Sequence, residues 1–242
     1  MLVFVRRVSV GPDGDFAASL EMSGRVRLWM LDPFLSVHNF KAFSFEGSDL
    51  ALHPGRRQLL ATCGNSFNAS HQRSLALWDL RSADSGHVAK PYGGVASSED
   101  GTAFSALAWS PADDDWLFAG DRAGHVSLYD LRQLKEPLTT RRRLHGGCAV
   151  ERLAAQGACV LSTALDRRLV SSEVRAEEDG LARLREGPGG VFKHQASPQG
   201  LAVSAKGDHW WSCDLSGAVF LHRAGKGGSK CRLNPPLHEI QF

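Results

Sequence analysis

A nine-residue pattern recurs along this chain and constrains its fold more than any other feature. It consists of an acidic residue, two variable residues, glycine, one variable residue, valine, one variable residue, leucine and an aromatic ring. Clear copies occupy residues 21–29, 121–129 and 214–222, and weaker copies occupy residues 74–79 and 166–173. The acids of the clear copies are 100 and then 93 residues apart. Half of each interval is about 50 residues, which indicates a repeated unit of roughly that length.

A second element precedes each copy of the pattern. It is a short alternating strand that ends in a turn of proline, aspartate or glycine, at residues 8–14, 50–55, 107–113, 153–157 and 201–207. A further apolar run separates the two elements, at residues 16–20, 59–62, 116–120, 159–164 and 209–213. Each unit therefore predicts an antiparallel meander of strands joined by a turn and a hairpin. The best helical window, residues 177–186, is too weak and is interpreted as a loop.

The units resemble those of the WD-repeat family. The resemblance rests on the aromatic ends of three predicted strands and on the hairpin acids: Trp29, Trp78-Asp79, Tyr129-Asp130, Glu21, Asp121, Asp166 and Asp214. It implies an all-β fold, a WD40-type β-propeller that forms a single domain over residues 1–242. About five four-stranded blades are recognisable, at approximately residues 8–32, 48–81, 104–132, 149–175 and 199–223.

The resemblance also implies roles for individual residues. In the family, an acid at the hairpin accepts hydrogen bonds from a neighbouring turn and often from a histidine. The rings at positions 29, 78 and 129 are expected to pack between neighbouring blades. The chain departs from the family because its Gly-His pairs are poor, although His145 and His194 stand in about the right place. The last two units also lack Trp-Asp.

Five units raise the question of how the ring closes. Propellers have four to eight blades, and rings of the WD type most often have seven. One interpretation is an incomplete seven-bladed ring, and we favour it. The alternative is closure by weak blades built from residues 2–5 and 237–242. An open arc leaves a bare strand edge, which is an aggregation liability.

Composition narrows the classes of partner and site. The net charge of +2, from 28 basic and 26 acidic side chains, makes nucleic acid an unlikely main partner. The five cysteines are odd in number and lack metal-ligand spacing, so we expect no disulfide framework, metal or other cofactor. No stretch has the ~18 apolar residues of a membrane span. These features favour a cytoplasmic or nuclear protein.

No sequence signature of catalysis is found. The chain lacks a Gly-x-Ser-x-Gly elbow, a phosphate-binding loop ending in Lys-Ser or Lys-Thr, and His-Glu-x-x-His. The glycine-rich residues 225–230 have the wrong spacing for a phosphate loop, and the acidic residues 113–115 are interpreted as a solvated turn. A Ser-His-Asp arrangement can still assemble in space across blades, which the sequence cannot show. We therefore expect no enzyme.

Two consecutive units end in an aromatic residue followed by Asp-Leu-Arg, at residues 78–81 and 129–132. This resembles the motif of WD proteins that serve as substrate receptors of cullin-RING ubiquitin ligases, where the arginine faces the adaptor. Such ends are also widespread in ordinary WD proteins, and the aromatic rings also fit core packing. The candidate partner-binding residues are Trp78, Asp79, Arg81, Tyr129, Asp130 and Arg132.

The sequence favours a non-catalytic scaffold that holds protein partners in one complex through loops on rigid strands. Insertions at residues 65–73, 83–102 and 180–190 are expected to supply specificity. A ubiquitin-ligase substrate receptor is the first alternative. A second is a propeller esterase, since residues 129–138 look a little like a stretch of the diphthine methylesterase family. A third is a ribonucleoprotein-assembly propeller.

Overall fold

The computed structural model describes residues 4–65, 73–81, 90–98, 100–178, 181–204, 209–223 and 231–233. These residues form twenty strands and contain no helix. The strands make five separate antiparallel sheets of four strands each, and in every sheet the strands are neighbours in chain order. The expected all-β propeller with five four-stranded blades is therefore confirmed.

Each sheet is one blade. The first consists of β1 Val5–Val10, β2 Phe16–Glu21, β3 Arg25–Leu31 and β4 Phe34–Lys41. The second consists of β5 Glu46–Leu52, β6 Leu59–Asn65, β7 Leu75–Asp79 and β8 Lys90–Val95. The third consists of β9 Phe104–Trp109, β10 Trp116–Asp121, β11 Val126–Asp130 and β12 Thr139–Arg141. The fourth consists of β13 Val150–Gln156, β14 Cys159–Ala164, β15 Arg168–Ala176 and β16 Ala182–Lys193. The fifth consists of β17 Pro198–Val203, β18 His209–Asp214, β19 Val219–Arg223 and β20 Cys231–Leu233.

The first strand of every blade lies innermost. β1 packs beside β5, β5 beside β9, β9 beside β13, and β13 beside β17, so the blades fan around one axis. No comparable packing joins β17 back to β1 within the described residues. The described part of the chain is therefore an open arc of five blades.

The hairpin of the repeated pattern explains its acid and its glycine. Gly24, Gly124 and Gly217 have φ angles of 82°, 82° and 79°, a left-handed conformation that costs glycine almost nothing. The acid accepts hydrogen bonds from the turn, as Asp121 does from the N–H groups of Ala123 and His125, both at 2.9 Å. The structural role that the family resemblance implies for Asp121 is thus confirmed.

Each blade has two sides, which we name by the neighbour that they face. The leading side faces the preceding blade and the trailing side faces the following one. Cross-strand register places Leu52, Leu60 and Trp78 in one row on the leading side of the second blade. All three lie in an apolar cluster with Leu20 and Leu28 from the trailing side of the first blade.

The third blade repeats this arrangement with a different ring. Trp109, Leu117 and Tyr129 form the equivalent row, and they pack against the second blade through Ala61 and Leu77. The next two interfaces hold their own apolar clusters. Burial of both sides of a sheet by its neighbours is what stabilises a blade.

Trp29 is anchored in its blade in the same way as Trp78. Its indole Nε1 donates to Ser19 Oγ at 2.8 Å, just as Trp78 Nε1 donates to Thr62 Oγ1 at 2.8 Å. Trp29 lies on the leading side of the first blade, and its ring stacks on the exposed Phe34 at a centroid distance of 5.4 Å. No blade among the described residues faces this side, so the packing of Trp29 between two blades stays a prediction.

The interpretation of residues 177–186 as a loop is wrong for residues 182–186. Strand β16 contains these five residues and most of the predicted insertion at residues 180–190. Leu184 pairs with Val174 and lies in the cluster between the third and fourth blades, whereas Arg183 and Arg185 point to the opposite side. Side chains in β16 therefore alternate with a period of two residues, and its many charged residues hide this strand pattern in the sequence.

Candidate interaction surface

The two Asp-Leu-Arg ends lie at the same end of neighbouring blades. Asp79 accepts hydrogen bonds from the backbone N–H of Arg81 at 3.0 Å and from its Nε at 2.9 Å. Asp130 accepts the matching bonds from Arg132, at 2.8 Å from the backbone N–H and 2.8 Å from Nε. Each aspartate therefore closes a small ring that fixes its arginine in one orientation.

The buried neighbours of these residues explain why the arginines reach solvent. Leu80 and Leu131 are buried, and their backbone N–H groups donate to Gln58 O at 2.7 Å and Asp115 O at 2.8 Å. The arginines that follow these leucines point outward, and the side chains of Arg81 and Arg132 are 70% and 66% exposed.

The aspartates of these pairs stay ionised over a wide pH range. The hydrogen bonds from Arg81 are the main cause that lowers the pKa of Asp79, and those from Arg132 lower the pKa of Asp130 in the same way. The same pairing raises the pKa of Arg132. Both ends therefore carry fixed charge at any physiological pH.

Further charged residues join the two ends into one surface. Asp115 Oδ1 lies 2.6 Å from Arg56 Nη2, and its Oδ2 lies 3.7 Å from Arg132 Nε. We name Arg56, Asp79, Arg81, Asp115, Asp130 and Arg132 the Asp–Arg rim. Sequence reasoning missed Arg56 and assigned Asp115 to a solvated turn, since neither belongs to the repeated pattern.

A cleft accompanies this surface. It has a volume of about 510 Å³ and is lined by Arg56, Arg57, Asp79 and Arg81, among others. Trp78 and Tyr129, the other two predicted site residues, are 8% and 1% exposed and lie between blades. The structure therefore brings the four Asp and Arg candidates together at the surface, and it places both rings in the interior.

A Ser-His-Asp trio does assemble in space, in the fourth blade. His145 Nε2 lies 2.8 Å from Ser162 Oγ, and His145 Nδ1 lies 3.1 Å from Asp166 Oδ1. These distances match those of hydrolytic triads. Ser162 and His145 are nonetheless fully buried, and burial lowers the pKa of His145. No substrate reaches the hydroxyl in this structure, so the trio connects the hairpin acid to the core.

A buried ion pair lies on the axis side of the blades. Arg7 Nε donates to Asp49 Oδ1 at 2.8 Å, and Arg7 Nη2 donates to Glu151 O at 3.2 Å. Asp49 also accepts from the N–H groups of Leu50 and Leu107, both at 2.9 Å. We name this pair the axial tie, because its bonds join the first, second, third and fourth blades.

The described residues contain no cluster of histidine, cysteine or acidic side chains suited to a metal ion. Cys63, Cys148, Cys159 and Cys213 are free thiols. In the part of the chain that the structure describes, no helix is long and apolar enough to cross a membrane. Residues 66–72 of the first predicted insertion, residues 83–89 of the second and the glycine-rich residues 225–230 lie outside the described residues. The interpretation of residues 83–102 as a loop insertion is wrong for residues 90–95, which form strand β8.

Comparison with known proteins supports the fold. No family model matches the chain. The methylosome protein WDR77 of Xenopus laevis is 27% identical over 128 residues, which are 53% of this chain and 35% of WDR77. The match thus spans about a third of that relative.

A solved structure extends the likeness over nearly the whole chain. The β-propeller domain of Cps50 (Swd1) from Myceliophteria thermophila superposes with a TM-score of 0.75 and 20% identity, covering 96% of this chain and 73% of that one. Together with the five four-stranded blades, these findings show that the chain has a β-propeller fold, and its repeated hairpin pattern resembles that of WD-repeat proteins.

Proposed function

We propose that this chain is a non-catalytic scaffold that holds protein partners in a complex, and that the Asp–Arg rim is one of its contact surfaces. The observation that carries the proposal is the duplication of one arrangement. Two successive blades present the same aspartate-held arginine at the same end, with arginine side chains 70% and 66% exposed. Repeated rigid groups at a fixed spacing suit recognition of one extended partner surface.

The chemistry of the rim fits a protein partner. Arginine offers a planar fork that binds carboxylates and carbonyl groups with two hydrogen bonds, and it is enriched at interface hot spots. Here Asp79 and Asp130 hold the forks in place, so little rotational freedom is lost on binding. Exposed ion pairs contribute little to folding, roughly 0–1 kcal/mol, so the arginines can take a second partner at little cost.

The known relatives agree with a scaffold role. WDR77 is named a methylosome protein. We extend this only as a proposal that the present chain also works inside a complex. The free thiols among the described residues suit a reducing compartment, and we propose the cytoplasm or the nucleus.

A substrate receptor of a cullin-RING ubiquitin ligase is the second candidate function. One observation favours it: Arg81 and Arg132 both face solvent at the same end of adjacent blades. In this candidate the partner on the rim is the ligase adaptor. A pull-down with purified adaptor separates the two candidates, since a general scaffold retains other partners and leaves the adaptor unbound.

The test of the rim is the double substitution Arg81→Ala and Arg132→Ala, followed by quantitative affinity purification from cells. Partners that use the rim should be recovered about tenfold less, as expected when an interface loses at least 1.4 kcal/mol. Arg175→Ala is the matched control, because Arg175 pairs with Glu173 at the same two-residue spacing and is 60% exposed. Equal recovery with both variants contradicts the proposal.

A further inference from the structure

A groove begins between the first and second blades and continues along the end of the second blade that carries the Asp–Arg rim. It joins the cleft described above, which we name the arginine cleft, to another of about 490 Å³, which we name the apolar cleft. Arg57 and Gln58 line both clefts, so the two are continuous. We name the whole the blade groove.

The apolar cleft has a rigid hydrophobic floor. Phe16 of the first blade and Leu80 of the second both pack in the cluster between these blades, and Leu80 is only 4% exposed. Met30 and Val37 also line the cleft, and they are 36% and 37% exposed. An apolar side chain that enters this cleft therefore contacts apolar surface that is otherwise partly open to water.

A β-bulge brings Val37 into the lining of the apolar cleft. Leu28 pairs with His38 and Trp29 pairs with Ser36, so Val37 is the extra residue of β4 and pairs with no residue of β3. Bulges re-aim a side chain and are common beside functional sites. The bulge is thus a second feature, besides the cleft itself, that points to an interaction here.

The arginine cleft is cationic. Its lining includes Arg56, Arg57 and Arg81, whose side chains are 46%, 57% and 70% exposed, and one acid, Asp79. The carboxylates that pair with Arg56 and Arg57 do not line this cleft. Exposed ion pairs are weak, so these guanidinium groups can also bind a carboxylate that a partner brings into the cleft.

Backbone hydrogen bonds fix the shape of the groove. The N–H of Leu31 donates to Asp15 O at 2.8 Å, and the N–H of Leu80 donates to Gln58 O at 2.7 Å. The side-chain amide of Gln58 has both donors and an acceptor, which match the N–H and C=O groups of a peptide backbone. A groove that is formed in advance loses little freedom when it binds an extended chain.

We propose that the blade groove binds an extended segment of a partner protein that carries an apolar residue a few positions from an aspartate or glutamate. The apolar side chain lies against Met30 and Val37, and the carboxylate lies against the arginines of the neighbouring cleft. This inference deepens the proposed scaffold role and rests on it, because it names the chemistry of one partner segment. The charge of the arginine cleft excludes a basic segment.

The test is selection of a random-peptide library, displayed on phage, against the immobilised whole chain. The enriched peptides are then synthesised, and their Kd values are measured by fluorescence polarisation. We expect them to share an acidic residue near an aliphatic or aromatic one. Replacement of that acid by its amide should weaken binding at least about tenfold.

Two variants locate the peptide in the groove. Arg57→Ala and Met30→Asp should each weaken binding at least about tenfold, because the first removes a cation and the second places a charge beside the apolar side chain. Their controls are Arg175→Ala, 60% exposed in the fourth blade, and Met22→Asp, 49% exposed at the opposite end of the first blade. Both controls should bind as wild type does. Thermal unfolding checks that Met30→Asp is folded, and Arg57→Ala changes only an exposed side chain.

Three results overturn the inference: no enriched peptide, enriched peptides without an acid, or peptides that bind Arg57→Ala and Met30→Asp as tightly as wild type. Arg57 and Met30 lie outside the Asp–Arg rim. Loss of cellular partners by the Arg81 and Arg132 double variant therefore still supports the proposed function when the groove binds no peptide.

Discussion

Removal of Arg7 should destabilise the propeller far more than removal of a surface arginine. Asp49 and Arg7 are 8% and 17% exposed at the side chain, and in Arg7→Met the carboxylate loses its only cation in the axial tie. Burial raises the pKa of Asp49, which means that this site already disfavours the charge. Breaking one side of a buried pair costs roughly 3–5 kcal/mol. The partial exposure of Arg7 favours the lower end, about 3 kcal/mol.

The assay is urea unfolding of wild type and variant, followed by far-ultraviolet circular dichroism. A loss of about 3 kcal/mol also lowers Tm by roughly 6–12 °C for a chain of this size. Arg175→Ala is the control, since Arg175 and Glu173 pair at 2.7 Å with side chains 60% and 29% exposed, and it should cost less than about 1 kcal/mol. Equal losses for the two variants refute the view that the axial tie couples the blades.

Three further predictions follow from burial and backbone geometry. Burial lowers the pKa of His145 from 6.5, so the folded state binds fewer protons than the unfolded state. Urea midpoints should therefore fall as the pH drops below about 6.5, and fall less steeply in His145→Gln. Gly14→Ala should lower the free energy of unfolding by ~1–2 kcal/mol, the penalty for a left-handed alanine, because its added Cβ would contact no other atom. Gly24→Ala should lower it further, because its Cβ would lie 2.4 Å from Phe43 O. Denaturant titrations measure both losses. Trp78→Ala should cost about 3–5 kcal/mol and Trp29→Ala clearly less in the same titrations, since among the described residues another blade covers Trp78 and none covers Trp29.

The interior strands could be predicted from sequence because their side chains alternate under a strong constraint. Strands such as Phe16–Glu21 and Trp116–Asp121 are buried along most of their length, so nearly every position is apolar or small. The outermost strands could not be predicted in this way. Phe34–Lys41 is exposed at six of its eight positions, and its hydrogen bonds to Arg25–Leu31 hold it without an apolar pattern.

The candidate surface was predictable only in part. Arg81 and Arg132 belong to a repeated motif and could be named from the sequence. Arg56 and Asp115 join the rim through turns of different blades, 59 residues apart, and no local pattern links them. Likewise, an aromatic ring at the end of a strand is buried only where a neighbouring blade covers it. The local sequence around the ring does not encode that neighbour.

The axial tie also bears on how the molecule opens. In repeat proteins, stability is approximately a sum of terms between nearest neighbours, and any unit can fray at an end. Here a single guanidinium reaches from β1 to Asp49 in β5 and to Glu151 in β13, so the first four blades share bonds that are broken together. The fifth blade takes no part in these bonds. Amide protons of β17 to β19 should therefore exchange through a low-energy local opening. Those of the first four blades should exchange only through a larger, concerted opening.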